Sequence, residues 1–432
     1  MSECPTANIC GYEIPLIGVA SGPHTASIKP IAEFTGHASD GRDLDIDKDS
    51  PITQRGIQPF LAMKTMGGGP SRGAEALDSI REPDTRRIMM RAGVSMNCET
   101  SFAGRFKQEY LPLLEQALKT NSPLFISVGY EADEIERNIR EIKNFLTLFT
   151  GLPPIFFEVS LHHSKDDPNK ARDRVRAAVK AAGWIYPVFV KISYYDGHYL
   201  EIAQMIKEEG AAGIVGINSL GPYDSQRMLA EEEGWLAGLP LSEISPLICR
   251  RVKETLGADY PYIAVGGVTT HNIQEYFENG ADAVEACTHF LAHGPEEGLM
   301  MLHDALQENA VQARCRVADT FKNLEQEIAR RHKGIGRYVE TLGQFFATNI
   351  DLGRSPELHS LTEPLTLSLN EESCTGCMDC MDACGSRAIT PLVVAEGLES
   401  RAFPDVDPEL CEDCSLCVTV CPNGALTLKE IE

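Results

Sequence analysis

The residues richest in chemistry in this chain of 432 amino acids are its 14 cysteines. Eight fall in the final stretch and repeat one spacing twice. The first copy is Cys374, Cys377, Cys380 and Cys384; the second is Cys411, Cys414, Cys417 and Cys421, followed by Pro422. Thiolates three positions apart can wrap one inorganic centre. Structural disulfides are a poor account of so many thiols in a chain without a secretory pattern, so metal or redox chemistry in a reducing, cytoplasmic compartment is expected. Zinc sites pair two C-x2-C units across a longer gap, whereas a tight triplet plus one suits iron–sulfur clusters. The other six, Cys4, Cys10, Cys98, Cys249, Cys287 and Cys315, share no ligand spacing and read mostly as small buried apolar residues.

Two lysines come next. Lys64 closes the apolar run 60–64, and Lys191 sits within the apolar run 188–192. A lysine in such a run either reaches the rim or pairs with a carboxylate, and two at matching depth also suit an anionic or electron-rich ligand. Gly266 and Gly267 close a later run, and Cys287 and Thr288 close the next. Glycines there expose backbone N–H groups to a phosphate. Ala20, Ser21, Gly22 and Pro23 would let a flat ring lie against the backbone. These features together describe an FMN pocket. Gly67, Gly68 and Gly69 lack the Lys-Ser/Thr of a P-loop and read as a rim loop.

Those positions need a scaffold. Short apolar, β-rich runs near 17–22, 59–66, 124–130, 155–161, 188–194, 213–219, 262–268 and 283–289 alternate with helical patterns at 102–119, 131–149, 169–182, 198–209, 241–255, 270–279 and 296–309. Eight strands each followed by a helix predict an α/β fold, a (β/α)8 TIM barrel over 1–310. A doubly wound sheet looks similar locally, but no G-x-G-x-x-G turn follows the first run. Residues 311–370 read as a helical extension and linker, helical to about Phe346 and a loop over 349–370. Arg330, Arg331, His332 and Lys333 read as a solvated helix face. Residues 371–432 read as a small α+β module held folded by its clusters. That module carries 13 Asp and Glu against 3 Lys and Arg, and the chain 63 against 39. This acidic balance argues against nucleic acid or an anionic membrane as partner, and no apolar run is long enough to span a bilayer.

The tail spacing resembles bacterial-type ferredoxins with two [4Fe–4S] clusters. The resemblance implies one cluster on Cys374, Cys377, Cys380 and Cys421 and the other on Cys411, Cys414, Cys417 and Cys384, with Gly385 where a proline is usual. The barrel motifs (Ala20 to Pro23, Lys64-Thr65, Val190-Lys191, Asn218-Ser219, Gly266-Gly267) resemble the dihydroorotate dehydrogenase superfamily. They are most similar to the flavin–iron–sulfur part of dihydropyrimidine dehydrogenases, over about residues 8–310 and 371–432. That resemblance implies FMN contacts from Ala20, Ser21, Gly22, Lys64, Thr65, Lys191, Gly266, Gly267, Cys287 and Thr288, with Lys191 near the flavin N1 side. It also implies substrate contacts from Asn97, Asn218 and Ser219, with Ser160 where an asparagine is usual. The loop after the fourth strand, 162–170, lacks the family's proton-donating cysteine. His162, His163 and Ser164 remain as candidate acids, with Tyr194, Tyr195 and Cys98 as further donors. Residues 221–241 are long enough for a lid.

The expected activity is an FMN- and iron–sulfur-dependent oxidoreductase acting on a C–C or C=C bond conjugated to a carbonyl in a small substrate, cyclic amides included. Electrons would pass through two clusters to or from a partner, an NAD(P)H-oxidising flavoprotein subunit or a ferredoxin, in a homodimer or hetero-oligomer. The alternative is an electron-transfer or assembly subunit whose barrel has lost the pyrimidine chemistry.

Overall fold

Runs such as Leu124–Val128 (LFISV) and Ile155–Ser160 (IFFEVS) are apolar almost throughout, as strands covered on both faces must be. A computed structural model describes residues 5–20, 52, 55–63, 65, 87–90, 94–97, 110–129, 131–161, 168–194, 198–224, 233–293, 295–307, 324–351, 365–377, 380–381, 384, 388–396, 399–407, 417–418 and 421–430. Its strands are β1 (Thr6–Ile9), β2 (Tyr12–Pro15), β3 (Ile17–Ala20), β4 (Phe60–Ala62), β5 (Arg87–Met90), β6 (Val94–Asn97), β7 (Leu124–Val128), β8 (Ile155–Ser160) and β9 (Val188–Lys191). They continue as β10 (Gly213–Gly216), β11 (Leu220–Asp224), β12 (Glu233–Gly238), β13 (Tyr262–Val265), β14 (Ala283–Ala286), β15 (Leu365–Leu369), β16 (Ile389–Glu396), β17 (Glu399–Val406) and β18 (Leu426–Glu430). The helices are α1 (Leu111–Lys119), α2 (Ala132–Leu146), α3 (Pro168–Ala182), α4 (Tyr199–Glu208), α5 (Ser245–Leu256), α6 (Ile273–Glu278), α7 (Thr288–His293), α8 (Pro295–Gln307) and α9 (Leu324–Asp351).

All eight expected barrel strands form. In the closed sheet they run β3, β4, β7, β8, β9, β10, β13, β14 and back to β3, every neighbour parallel. The helices cover the outside with one apolar stripe each. In α2 the stripe is Ile135, Ile139, Ile142 and Leu146, at helical spacing.

Four phenylalanines fill the amino-terminal floor of the barrel. Phe125 stacks on Phe156 at 4.5 Å between ring centres and meets Phe60 at 5.2 Å and Phe189 at 5.3 Å. Two strand glycines make room for them. A Cβ at Gly18 would fall 2.0 Å from the Phe60 ring, and one at Gly213 would fall 2.3 Å from the Phe189 ring. The β1–β2 hairpin plugs the same end, with Ile9 and Ile14 in this aromatic cluster and Tyr12 edge-on to Phe156. The barrel is therefore closed below, and whatever it binds must approach from the carboxyl ends of the strands.

At that end, where Gly238 of β12 lies against Gly267, stands a four-stranded sheet, the roof sheet, ordered β11-β12-β6-β5. Its strands come from two insertions, one between β4 and β7 and one between β10 and β13. The ladder pairs Trp235 with Asn97 and Leu236 with Met96. The segment read as a lid is thus largely β-structure paired to a distant insertion, with residues 225–232 outside the described ones.

Beyond the barrel, α9 docks on it through ion pairs. Arg331, 5% exposed, donates to the Glu243 carbonyl at 2.9 Å and pairs with the Glu243 and Glu327 carboxylates. Glu325 accepts from Tyr199 and Arg251. The basic run at 330–333 is therefore only in part a solvated face: Arg330 and Lys333 are exposed, whereas Arg331 and the half-buried His332 turn onto the barrel. The loop expected over 349–370 is also shorter: α9 reaches Asp351, and β15 begins at Leu365 to pair antiparallel with β18. With the β16–β17 hairpin this builds the small C-terminal module.

Candidate functional site

Inward-facing residues alternate along each barrel strand. Above the phenylalanine floor, this alternation puts Ser127 on β7, Glu158 on β8, Lys191 on β9 and Glu285 on β14 into the interior. The Lys191 ammonium donates to Glu285 Oε1 at 2.7 Å and lies 3.4 Å from Glu158 Oε2. All three are buried, the two glutamates at 1% exposure. Burial works to lower the proton affinity of Lys191, but the flanking charges of Glu158 and Glu285 reverse this and hold it above the ordinary lysine range. Lys191 thus has the carboxylate pairing its sequence context allowed, but with two carboxylates rather than one.

One step higher the lining is small and hydroxylic. Thr65 and Ser127 share a hydrogen bond of 2.9 Å, and so do Ser193 and Ser219. Gly129 faces Thr65 so closely that a Cβ would fall 2.8 Å from its methyl group. Ala20 and Ser160 are buried beside them. A flat ring placed here would meet small side chains with a lysine ammonium beneath, so these residues fit FMN.

Gly266 and Gly267 have φ of 106° and 84°. A Cβ at Gly266 would lie 2.4 Å from the Ile217 carbonyl oxygen, and one at Gly267 would lie 2.7 Å from that of Gly238. The chain's own backbone therefore already demands glycine at both positions, before any ligand is considered. Cys287 is half-buried and Thr288 is buried at the start of α7.

Of the expected substrate residues, Ser160 and Ser219 are buried at the mouth and Asn218 is half-buried, its backbone N–H donating to the Ile192 carbonyl at 2.9 Å. Asn97 is placed by its strand register against Trp235. Ser21, Gly22, Lys64, Cys98, His162, His163, Ser164 and Tyr195 lie outside the described residues. Tyr194 does not serve as the expected donor. Its ring packs outward among core residues, 4.8 Å from the His332 ring and 5.7 Å from Tyr199, because the strand alternation turns it away from Ser193. Cys249 is buried as expected, whereas Cys10 is exposed at the tip of the β1–β2 hairpin. The sequence reading missed Glu158 and Glu285. Both were visible as lone carboxylates inside apolar strands.

In the C-terminal module, Cys374, Cys377 and Cys380 from the first cysteine copy line one cavity with Cys421 from the second. Among the described residues, no three Cys, His, Asp or Glu side chains converge on a single-ion site. Four thiols lining one cavity, three from a tight triplet and one from the other copy, fit a [4Fe–4S] group. The last cysteine of each copy is met alike. The Ala388 N–H donates to Cys384 Sγ at 3.2 Å, and the Ala425 N–H donates to Cys421 Sγ at 3.1 Å. Asn423 ties the copies together by donating to Thr375 Oγ1 at 3.1 Å. Gly376 takes φ of 70° and comes so near the Ala402 carbonyl that a Cβ would lie 2.8 Å from it, which lets the loop turn between Cys374 and Cys377. Burial pushes the Cys380 thiol up to about 12. Cys384 and Cys417 are also buried, while Cys411 and Cys414 lie outside the described residues. No helix among the described residues is long and apolar enough to cross a membrane.

Comparison with known proteins agrees with both halves. Residues 134–308 match the family described as dihydroorotate dehydrogenase, and residues 373–425 match the 4Fe-4S dicluster domain. A dihydroorotate dehydrogenase (quinone) of Paracidovorax citrulli is 32% identical over 133 residues, covering 30% of this chain and 35% of that protein. One from Akkermansia muciniphila is 24% identical over 279 residues, covering 59% and 76%. The chain thus spans about a third of the first relative's length. The crystal structure of ligand-free DHODH from Eimeria tenella shares the fold, with a TM-score of 0.50 at 19% identity over 74% of this chain and 90% of that one. The chain is therefore similar to the dihydroorotate dehydrogenase family across residues 134–308 and to 4Fe-4S dicluster domains across residues 373–425.

Proposed function

We propose that the chain is an FMN- and iron–sulfur-dependent oxidoreductase acting on a C–C or C=C bond conjugated to a carbonyl in a small substrate, of the dihydroorotate or dihydropyrimidine type. The observation that carries this reading is the cavity where Cys421 joins Cys374, Cys377 and Cys380, in the same chain as a lysine-floored barrel mouth. FMN, when bound, exchanges single electrons with clusters and electron pairs with organic substrates.

The chain's own residues bind and orient. Ala20, Ser21, Gly22, Thr65, Gly266, Gly267, Cys287 and Thr288 would hold the flavin, with Lys64 and Lys191 as its cations. Asn97, Ser160, Asn218 and Ser219 would orient the substrate, and the roof sheet would exclude water. His162, His163 and Ser164 follow β8 and offer the proton that C=C reduction needs. The second cluster belongs to Cys411, Cys414, Cys417 and Cys384. The domains are the barrel over 1–310, the linker over 311–370 and the cluster module over 371–432. The acidic module suits a basic electron-carrying partner, an NAD(P)H-oxidising flavoprotein subunit or a ferredoxin.

Ser160 at the end of β8, where the resemblance calls for asparagine, favours a second reading as an electron-transfer subunit without substrate turnover. The two are separated by reducing the full chain without oxygen and mixing it with pyrimidines, enoates and enoyl amides. Prompt flavin reoxidation by at least one of them is expected. Reoxidation by none would leave only the electron-transfer reading.

A further inference from the structure

Lys191, Glu158 and Glu285 form a buried charged cluster between the phenylalanine floor and the barrel mouth, and the Tyr110 phenol, whose proton burial holds on, lies near enough for the Glu158 charge to add to that hold. Their strands are flanked by β3, β7, β10 and β13, none of which carries a charged residue. Lys64, which follows β4, lies outside the described residues. Among the described residues, then, two carboxylates face one ammonium. One carboxylate oxygen, Glu158 Oε2, has the Lys191 ammonium 3.4 Å away but no well-formed hydrogen bond among the described residues. Keeping both of these carboxylates ionised around one ammonium in so dry a place is costly, and a proton shared by the pair lowers that cost.

We infer that the Glu158–Lys191–Glu285 triad holds one exchangeable proton on its carboxyls and draws it from solvent when negative charge enters the barrel mouth. The link to the mouth rests on the flavin reading above; the proton itself does not. The process is protonation of a carboxylate to a carboxylic acid, and no other bond changes. Lys191 stays charged throughout and positions both carboxyls.

The proton affinity of Glu285 supports this. Burial raises it, Lys191 opposes the rise and the Glu158 charge adds to it, so the group moves from 4.5 up to about 7. Such a group binds its proton more tightly in the folded chain than in the unfolded one. Its stabilising contribution is present below about pH 4.5 and is lost as pH rises through about 7.

The test is infrared difference spectroscopy of the full chain between about pH 6 and about pH 8.5, where exposed carboxyls are already ionised. One carboxylic-acid carbonyl band is expected to disappear across that range. It should be absent from both Glu285→Gln and Glu158→Gln, each of which leaves one carboxylate to balance Lys191. No band, or a band that survives in both variants, would overturn the proposal. A second arm measures the flavin reduction potential across the same range, and the native slope should be steeper than that of Glu285→Gln. Equal slopes would overturn the coupling to the mouth. A chain that purifies without flavin but keeps the band would overturn the coupling and the flavin reading while leaving the proton in place.

Discussion

Alanine at Cys421 is expected to remove one cluster and spare the other, lowering iron from about eight to about four per chain. Cys421 lines the cavity of Cys374, Cys377 and Cys380 although it belongs to the second cysteine copy. The crossing becomes measurable in double variants. Cys374→Ala with Cys421→Ala strikes one cavity twice, so about four irons should remain. Cys384→Ala with Cys421→Ala removes one ligand from each proposed cluster, and iron should fall nearly to zero. Ligation within each copy predicts the reverse for Cys374→Ala with Cys421→Ala, namely loss of both clusters. Iron and acid-labile sulfide analysis of the full chain decides between them. Loss of a cluster should also loosen the module, whose sheets are the β15–β18 and β16–β17 pairs.

Lys191→Met is expected to destabilise the barrel by about 3–5 kcal/mol at about pH 8, the range for breaking a buried ion pair from one side. Glu158 and Glu285 would be left buried with no cation among the described residues. Protonating Glu285, whose proton affinity burial already raises, relieves part of the penalty, so the loss should shrink as pH falls to about 5. Glu285→Gln in the same chain should recover part of it, because one carboxylate is then gone. Denaturant unfolding at the two pH values measures both effects. An equal loss at both pH values would mean that the missing packing of the lysine stem, not its charge, sets the cost.

The barrel was legible because its strands are buried on both faces and read as short apolar runs at regular intervals. The thiol spacing was legible because the cysteines of each copy recur at short, regular intervals along the chain. The roof was not. β11 (LGPYD) and β12 (EGWLAG) contain glycine and proline, and their ladder joins Trp235 to Asn97 across a stretch that no local pattern records. Glu158 and Glu285 share the inward parity of Lys191, but only barrel closure brings β8, β9 and β14 around one ammonium. Arg331 shows the same limit on a helix. Its neighbours Arg330 and Lys333 face water, and docking onto Glu243 alone selects the arginine that is buried.

Two clusters and a flavin in one chain are tested most directly by the cofactor content of the full protein purified without oxygen. About eight irons, about eight acid-labile sulfides and about one FMN per chain are predicted. Zinc in place of iron, or a full complement of iron with no flavin, would contradict it.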